Sequence, residues 1–364
     1  MTAREKEILE LIRKNPLISQ QECADALGIT RSAAAGHIMN LSRQGYIKGK
    51  GYILQESPYV VVIGGANIDI QGFPFSTLIS HDSNPGLIKL SCGGVGRNIA
   101  ENLARLGCDV RLISILGDDA FANQIRQETE AAGVDISNCI TVHNDTTSTY
   151  LSILNKSGDM EIALSSMEIL NKLTVNSIKT KADIIRNAAV VVLDTNLTEE
   201  VINYLLTSFP DTVFFADPVS VTKAHKLLQY IGRLHCIKPN ILEAEVLVGR
   251  KLSTVHEIEI AGRELLSLGI NQVIISRGED GLFCCNEKAS FFRPAPKVNI
   301  KNCTGAGDAF MAGLVYSWLH GMNLQDSVVF AEIASKLTLE HENTINPTLS
   351  VENIQNEIAK NRSN

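Results

Sequence analysis

The chain is poor in several things that would have set its class at once. Aromatic residues make up 5% of its 364 positions, with a single tryptophan, and there is no low-complexity tract or internal repeat. Positive charge is not in excess. The 33 Lys/Arg against 40 Asp/Glu give −7, which excludes a protein whose whole surface tracks nucleic acid. Long hydrophobic runs are missing: residues 188–193, the longest, are far too few to span a bilayer. The first residues, Met1 to Glu7, carry no apolar core of a signal peptide. The eight cysteines form no C-x-x-C pair, and the neighbours Cys284 and Cys285 would point to opposite faces of a strand. Reduced thiols in a cytoplasmic protein are therefore expected.

What is present is unevenly divided. Residues 1–56 hold eight Lys/Arg and six Asp/Glu, a balance of +2, which leaves −9 for the remainder. Thr2 and Ser19 stand where helix N-caps are needed, and Glu22 completes a capping box with Ser19. Gly28-Ile29-Thr30 predicts a tight turn into a third helix from Arg31 to about Ser42, and residues 45–54 alternate around glycines as a small hairpin would. This order resembles a winged helix-turn-helix domain. The resemblance implies a third helix in the major groove offering Arg31, Ser32, His37 and Asn40, with Lys48 and Lys50 of the wing on phosphates. A packing or dimerisation module without DNA contact is the alternative. Glu56-Ser57-Pro58 marks the expected boundary, dividing the chain into 1–56 and 57–364.

Beyond that boundary short apolar runs (60–63, 110–115, 190–193, 213–216, 236–237 and 273–276) alternate with helical periods. Such alternation predicts an α/β fold with a mostly parallel sheet covered on both faces. Residues 147–154 and 160–164 read differently, as a hairpin turning at Lys156-Ser157-Gly158-Asp159 and belonging to a small sheet over the site.

The segment Asn302-Cys303-Thr304-Gly305-Ala306-Gly307-Asp308 precedes an apolar helical period. Its glycines therefore sit at a helix start, where outward N–H groups and the helix dipole favour an anion. Loss of one such donor from a reacting oxyanion typically costs about 3–4 kcal/mol. An Asp beside them can take the proton of an attacking hydroxyl, a contribution of roughly 10²–10⁴ in rate. Many plain helix N-termini share this pattern, and no Gly-Lys-Ser/Thr follows to make a Walker loop.

A second segment sharpens the reading. Gly93-Gly94-Val95-Gly96-Arg97-Asn98 resembles the N-terminal Gly-Gly-x-x-x-Asn signature of the PfkB/ribokinase family of carbohydrate kinases, and residues 304–308 resemble its C-terminal signature. The similarity runs from about Tyr59 to near the end of the chain. It implies a ribokinase-like, mostly parallel sheet flanked by helices, with a small β lid. Asp308 is then the catalytic base, with Gly305, Ala306 and Gly307 as the anion hole. Asn67 and Asp69 hold sugar hydroxyls, a role suited to a carboxylate facing vicinal hydroxyls. Gly93 and Gly94 admit the sugar, Asn98 adds hydrogen bonds, and Asp194 lies nearby. Asn240 and Glu243 organise hydrated Mg²⁺, while Asn240, Ser276, Gly278, Gly281 and Thr304 bind ATP. The wider family adds a monovalent cation such as K⁺, where this chain carries Asn302 and Cys303 in place of the usual Asp and Thr.

Within the family, the segments around Ser83, Asn84, Thr147 and Ser148, with Asn302, resemble bacterial pseudouridine kinases. These polar side chains suit the edge of a uracil ring. Another nucleoside (inosine, cytidine), a sugar, or a nucleoside-sensing regulator whose kinase-like domain only binds ligand are the competing readings. No membrane partner is expected, and a homodimer is.

Overall fold

Three short helices open the chain, each starting where the sequence supplies a cap. In the computed structural model, which describes residues 1–49, 58–156 and 160–363, they run Ala3–Lys14, Gln20–Leu27 and Arg31–Arg43. Thr2 with Glu5 and Ser19 with Glu22 form reciprocal capping boxes, and Thr30 caps the third helix. Gly28 ends the second helix at φ 62°, a left-handed conformation that favours glycine. Ile8, Ile12, Cys23, Ala34, Ile38 and Leu41 close a small core between them.

After the third helix the chain leans on the larger body. A Cβ on Gly45 would lie 2.6 Å from Nη1 of Arg111. Tyr46 Oη donates to Asn187 Oδ1 (3.2 Å), and Asn187 Nδ2 donates back to the Gln44 carbonyl (3.3 Å). Lys48 pairs with Asp109 at 2.6 Å. The ammonium expected on a DNA phosphate is held in this structure by a carboxylate of the larger domain. Lys50 and the rest of the expected hairpin lie outside the described residues, as do Glu56 and Ser57 of the expected boundary.

The larger body is built on strands β1 (Tyr59–Ile63), β2 (Asn67–Pro74), β3 (Gly86–Gly93), β4 (Asp109–Ile113), β5 (Ile115–Leu116), β6 (Val134–Asp135), β7 (Ile140–Thr141) and β8 (Thr149–Leu154). There follow β9 (Met160–Ser166), β10 (Val190–Asp194), β11 (Phe214–Asp217), β12 (Cys236–Ile237), β13 (Gln272–Ser276), β14 (Leu282–Asn286) and β15 (Ser290–Arg293). Among the described residues nine of them form one sheet, ordered β15-β14-β13-β12-β11-β10-β1-β4-β6. It is parallel from β6 to β13 and antiparallel across β14 and β15. β1 and β10 are buried at every position because both faces are covered: Val61, Ile63, Val191 and Leu193 enter one core, Val60, Val62, Val190 and Val192 the other. Cys284 and Cys285 divide between the two cores as alternation requires.

The expected run 110–115 is broken at Ser114. Gly64 N–H takes the Ile113 carbonyl (3.2 Å) and Ile140 N–H the Ser114 carbonyl (2.8 Å), so the chain leaves one sheet for the short β5–β7 pair.

β3, β2, β8 and β9 make the four-stranded lid. Its register sets Ile88, Leu90, Ile70, Leu151, Ile162 and Leu164 on one face, and Asp69, Gln71, Lys89 and Ser152 on the other. The expected turn between β8 and β9 at Ser157–Asp159 lies outside the described residues.

Candidate active site

Parallel strands of an open sheet leave a crevice beyond their carboxyl ends. Here β10 and β11 end in register with Asp194 beside Asp217, and Lys238 follows β12. Each apolar run stops at a charged residue where the strand emerges. The helix Ala306–Leu319 starts against this edge, with Gly305 as its cap at φ 84°. A Cβ on Gly305 would sit 2.0 Å from the Thr344 carbonyl, so only glycine passes there. No side chain caps this helix, which leaves first-turn N–H groups for an incoming anion. Lys238 Nζ lies 3.4 Å from where a Gly307 Cβ would be, adding a positive charge beside the same turn.

Asp308 is buried in the first turn and accepts a 2.8 Å hydrogen bond from Asn98 Nδ2. Burial, and then the nearby Asp217 charge, push its carboxyl up to about 8, against the Asn98 hydrogen bond and Lys238. The sequence reading placed Asn98 on the sugar; the folded chain turns its amide to the base. Asp217 and Lys238 escaped that reading. The signal for Asp217 was there, since 213–216 ends in Asp as 190–193 does. Lys238 opened the very stretch read for Asn240 and Glu243.

Asp194, expected near the sugar, is buried and engaged by backbone. Its carboxylate accepts from Gly65 N–H and Gly96 N–H (2.8 Å each) and from Asn196 N–H (2.8 Å), and burial raises its pKa. A Cβ on Gly64 would lie 2.3 Å from Asp194 Oδ2. Asp194 therefore fastens the loop after β1 to the helix Val95–Arg105, which positions the acceptor groups.

Those groups converge as expected in part. Asn67 Nδ2 donates to Asp69 Oδ1 (2.7 Å), and burial raises the Asp69 carboxyl despite Asn67 and the Arg97 charge. A Cβ on Gly93 would meet Asp69 Oδ2 at 2.2 Å; one on Gly94, at φ 98°, would meet the Gly65 carbonyl at 2.4 Å. The Ser148 hydroxyl is buried without a hydrogen-bond partner among the described residues, as a ligand-binding group would be. Thr147 is engaged otherwise: its hydroxyl donates to Asp119 (2.7 Å) and accepts from Gly117 N–H (3.1 Å). Ser83 is exposed, and the Asn84 amide closes its own loop on Ile79 N–H (2.7 Å) and the Ile79 carbonyl (3.0 Å).

Asn240, Leu242, Ser253, Ser276, Arg277 and Gly278 line a groove of about 400 Å³ beside this edge. It unites three of the expected nucleotide residues. Gly281, at φ 89°, is not part of its lining, and a Cβ there would lie 2.0 Å from the Arg293 carbonyl. Asn240 and Glu243 cap one helix reciprocally (2.9 Å each way), and burial and then Asp217 raise the Glu243 carboxyl. Asn240 and Glu243 supply oxygen donors of the kind that fit a hydrated Mg²⁺. No group of three or more His, Cys, Asp or Glu among the described residues forms a direct cage. The place of the monovalent cation is different. Asn302 Oδ1 accepts from Thr304 N–H (2.9 Å), so its Nδ2 donates to the Glu342 carbonyl (3.1 Å). An amide with both ends engaged thus stands where the resemblance implies a carboxylate beside K⁺.

In the N-terminal unit Arg31 and Ser32 are exposed at the start of the third helix, and His37 and Asn40 are half-buried. Asn40 accepts from Arg43 (2.9 Å).

Residues 57–351 match the family model for pfkB family carbohydrate kinases, and residues 1–48 that for winged helix-turn-helix DNA-binding domains. Over 97% of this chain and 98% of the other, the sequence is 41% identical to YeiI, an uncharacterised sugar kinase of Escherichia coli strain K12. It is 39% identical to the pseudouridine kinase of the same organism, over 83% of this chain and 96% of that one. A carbohydrate kinase from Agrobacterium tumefaciens superposes with a TM-score of 0.73 at 25% identity, covering 83% of this chain and 97% of its own.

Proposed function

The chain belongs to the pfkB family of carbohydrate kinases, and on that premise we propose that it phosphorylates the ribose 5′-hydroxyl of a nucleoside, pseudouridine first, using ATP. One observation carries the reading: a buried Asp308, pushed up to about 8, stands at an uncapped helix start with Asn98 on one oxygen. Asp69 and Asn67 hold the ribose hydroxyls. The 5′-oxygen attacks the γ-phosphorus as the bond to the β-phosphate oxygen breaks, and ADP leaves. The hydroxyl proton passes to the Asp308 carboxylate, which is why its high proton affinity is useful. First-turn N–H groups and Lys238 stabilise the charge spread over the transferring phosphoryl oxygens. Asn240 and Glu243 would hold hydrated Mg²⁺, which screens phosphate charge. Likeness to the pseudouridine kinase and the orphaned Ser148 hydroxyl support a nucleoside acceptor.

ADP release measured with pseudouridine, uridine, inosine, cytidine and ribose tests this. Pseudouridine should show the highest kcat/KM. Turnover on none of the five, with tight binding of a duplex, would leave the regulator reading in its place.

The N-terminal match supports a second activity in the same chain. We place DNA contact on Arg31, Ser32 and His37, in a cytoplasmic protein divided at 1–56 and 57–364. No helix of the described residues is long and apolar enough to cross a membrane. A homodimer is proposed through the apolar lid face, where Ile88, Ile162 and Leu164 are 66%, 55% and 63% exposed.

A further inference from the structure

Between the glycines and Asn98 stands Arg97, to which neither the family signature nor the mechanism above gives a task. It is 3% exposed, in the first turn of the helix Val95–Arg105. Burying a guanidinium is unfavourable unless its donors are matched, and here they are. Nε donates to Thr129 Oγ1 (3.3 Å), and Nη1 donates to the Cys92 carbonyl (3.2 Å) and to Asn98 Oδ1 (3.4 Å). Nη2 is paired with the buried Glu101.

The contact with Asn98 has a consequence that its length alone does not convey. The two ends of an amide are nearly equal in size, so sterics do not decide which faces the base. A guanidinium only donates, so only Oδ1 satisfies it. With Oδ1 turned to Arg97, Nδ2 faces Asp308 Oδ2 at 2.8 Å.

We propose that Arg97 is a positioning residue that locks the Asn98 amide with its N–H on Asp308, holding the general base ready as a carboxylate. The inference rests on the kinase reading. A flipped amide would aim Oδ1 at Asp308, a contact that needs a proton on the carboxyl and so favours the state unable to accept one. Other charges face these groups. Asp217, Asp194 and Lys238 act on Asp308. Glu101 lies beside Arg97 on its own helix, Arg105 is paired with that Glu101, Glu128 lines the adjoining pocket, and the Asp69 carboxyl on β2 feels the Arg97 charge. In an Arg97 variant Glu101 keeps Arg105 as a partner.

The test is the pH profile of kcat/KM for the acceptor, from about pH 6 to about pH 10, in wild type, Arg97→Met and Arg97→Lys. Arg97→Met should move the acid limb up by about one pH unit, a tenfold loss below the limb, with acceptor KM changed less than about threefold. Arg97→Lys, which keeps a donor, should return most of the shift. A lower melting temperature with an unmoved limb would reduce Arg97 to a structural tie and overturn the proposal. Should Arg97→Met fail to fold, wild type decides. In ¹⁵N-asparagine-labelled protein, the Asn98 side-chain ¹⁵N and one of its protons should shift as Asp308 titrates. A resonance that stays still through that titration would show an amide turned away from the base and no lock. That signal reads Arg97 even if no acceptor in the panel is phosphorylated.

Discussion

The two sheets of the larger body meet at one site but are finished to different degrees. Each central strand of the nine-stranded sheet is buried on both faces, and its carboxyl edge carries Asp194 and Asp217, with the helix bearing Asp308 packed beside it. The four-stranded lid has one polar face carrying Asp69 and one apolar face open to solvent. Chemistry sits on the element that cannot shift without breaking a core. On the proposed reading, acceptor recognition sits on the lid, whose outer face is open to solvent while Ile68 and Cys92 at its base are buried against Leu116 and Ile125.

If that division holds, the largest effect belongs to the frame. Asp308→Asn should lower turnover by about 10²–10⁴-fold without loss of folded protein, read by ADP release and thermal melting. In wild type, kcat/KM should climb with pH through an apparent pKa near the value of about 8 set by burial, since the base works only when ionised. Next comes packing. Leu112→Ala, fully buried on β4, should cost about 2–5 kcal/mol in denaturant unfolding. Ile162→Lys on the lid should change monomer stability by only about 0.5 kcal/mol while shifting sedimentation from dimer to monomer. Equal costs at both sites would erase the contrast. Asp69→Ala should raise acceptor KM by roughly 10–100-fold, the worth of a hydrogen bond to a charged group, and move kcat less. An unchanged KM would remove Asp69 from the acceptor. Smallest of all is the response to K⁺. Replacing it by choline at constant ionic strength should leave turnover within about twofold, because Asn302 already bridges to Glu342 with an amide.

Much of this frame was legible in the sequence. Continuous apolar runs announce strands buried on both faces, and β1 and β10 lie within a residue of where those runs place them. Thr2 and Ser19 mark their helices because capping is a local matter. Local patterns do not say which side chain another will meet. Asn98 and Asp308 are 210 positions apart, and only the assembled sheet shows that the amide serves the base. Lys48 is the same lesson in the N-terminal unit, since a wing lysine has no local signal of a carboxylate 61 residues on. Thr147 likewise reads as a free hydroxyl until Asp119 and Gly117 are seen around it.

The Lys48–Asp109 pair also fixes an ion count. A lysine exposed to solvent that docks on a DNA phosphate sets free about one condensed cation, which steepens the salt dependence of binding by about 0.9 in log–log slope. Lys48 starts with a counterion of its own. Held by Asp109, Lys48 neutralises no phosphate and so sets free no condensed cation. Affinity for DNA should therefore be less sensitive to salt than a tally of basic residues in the first 56 would give, and Asp109→Asn should restore the missing increment.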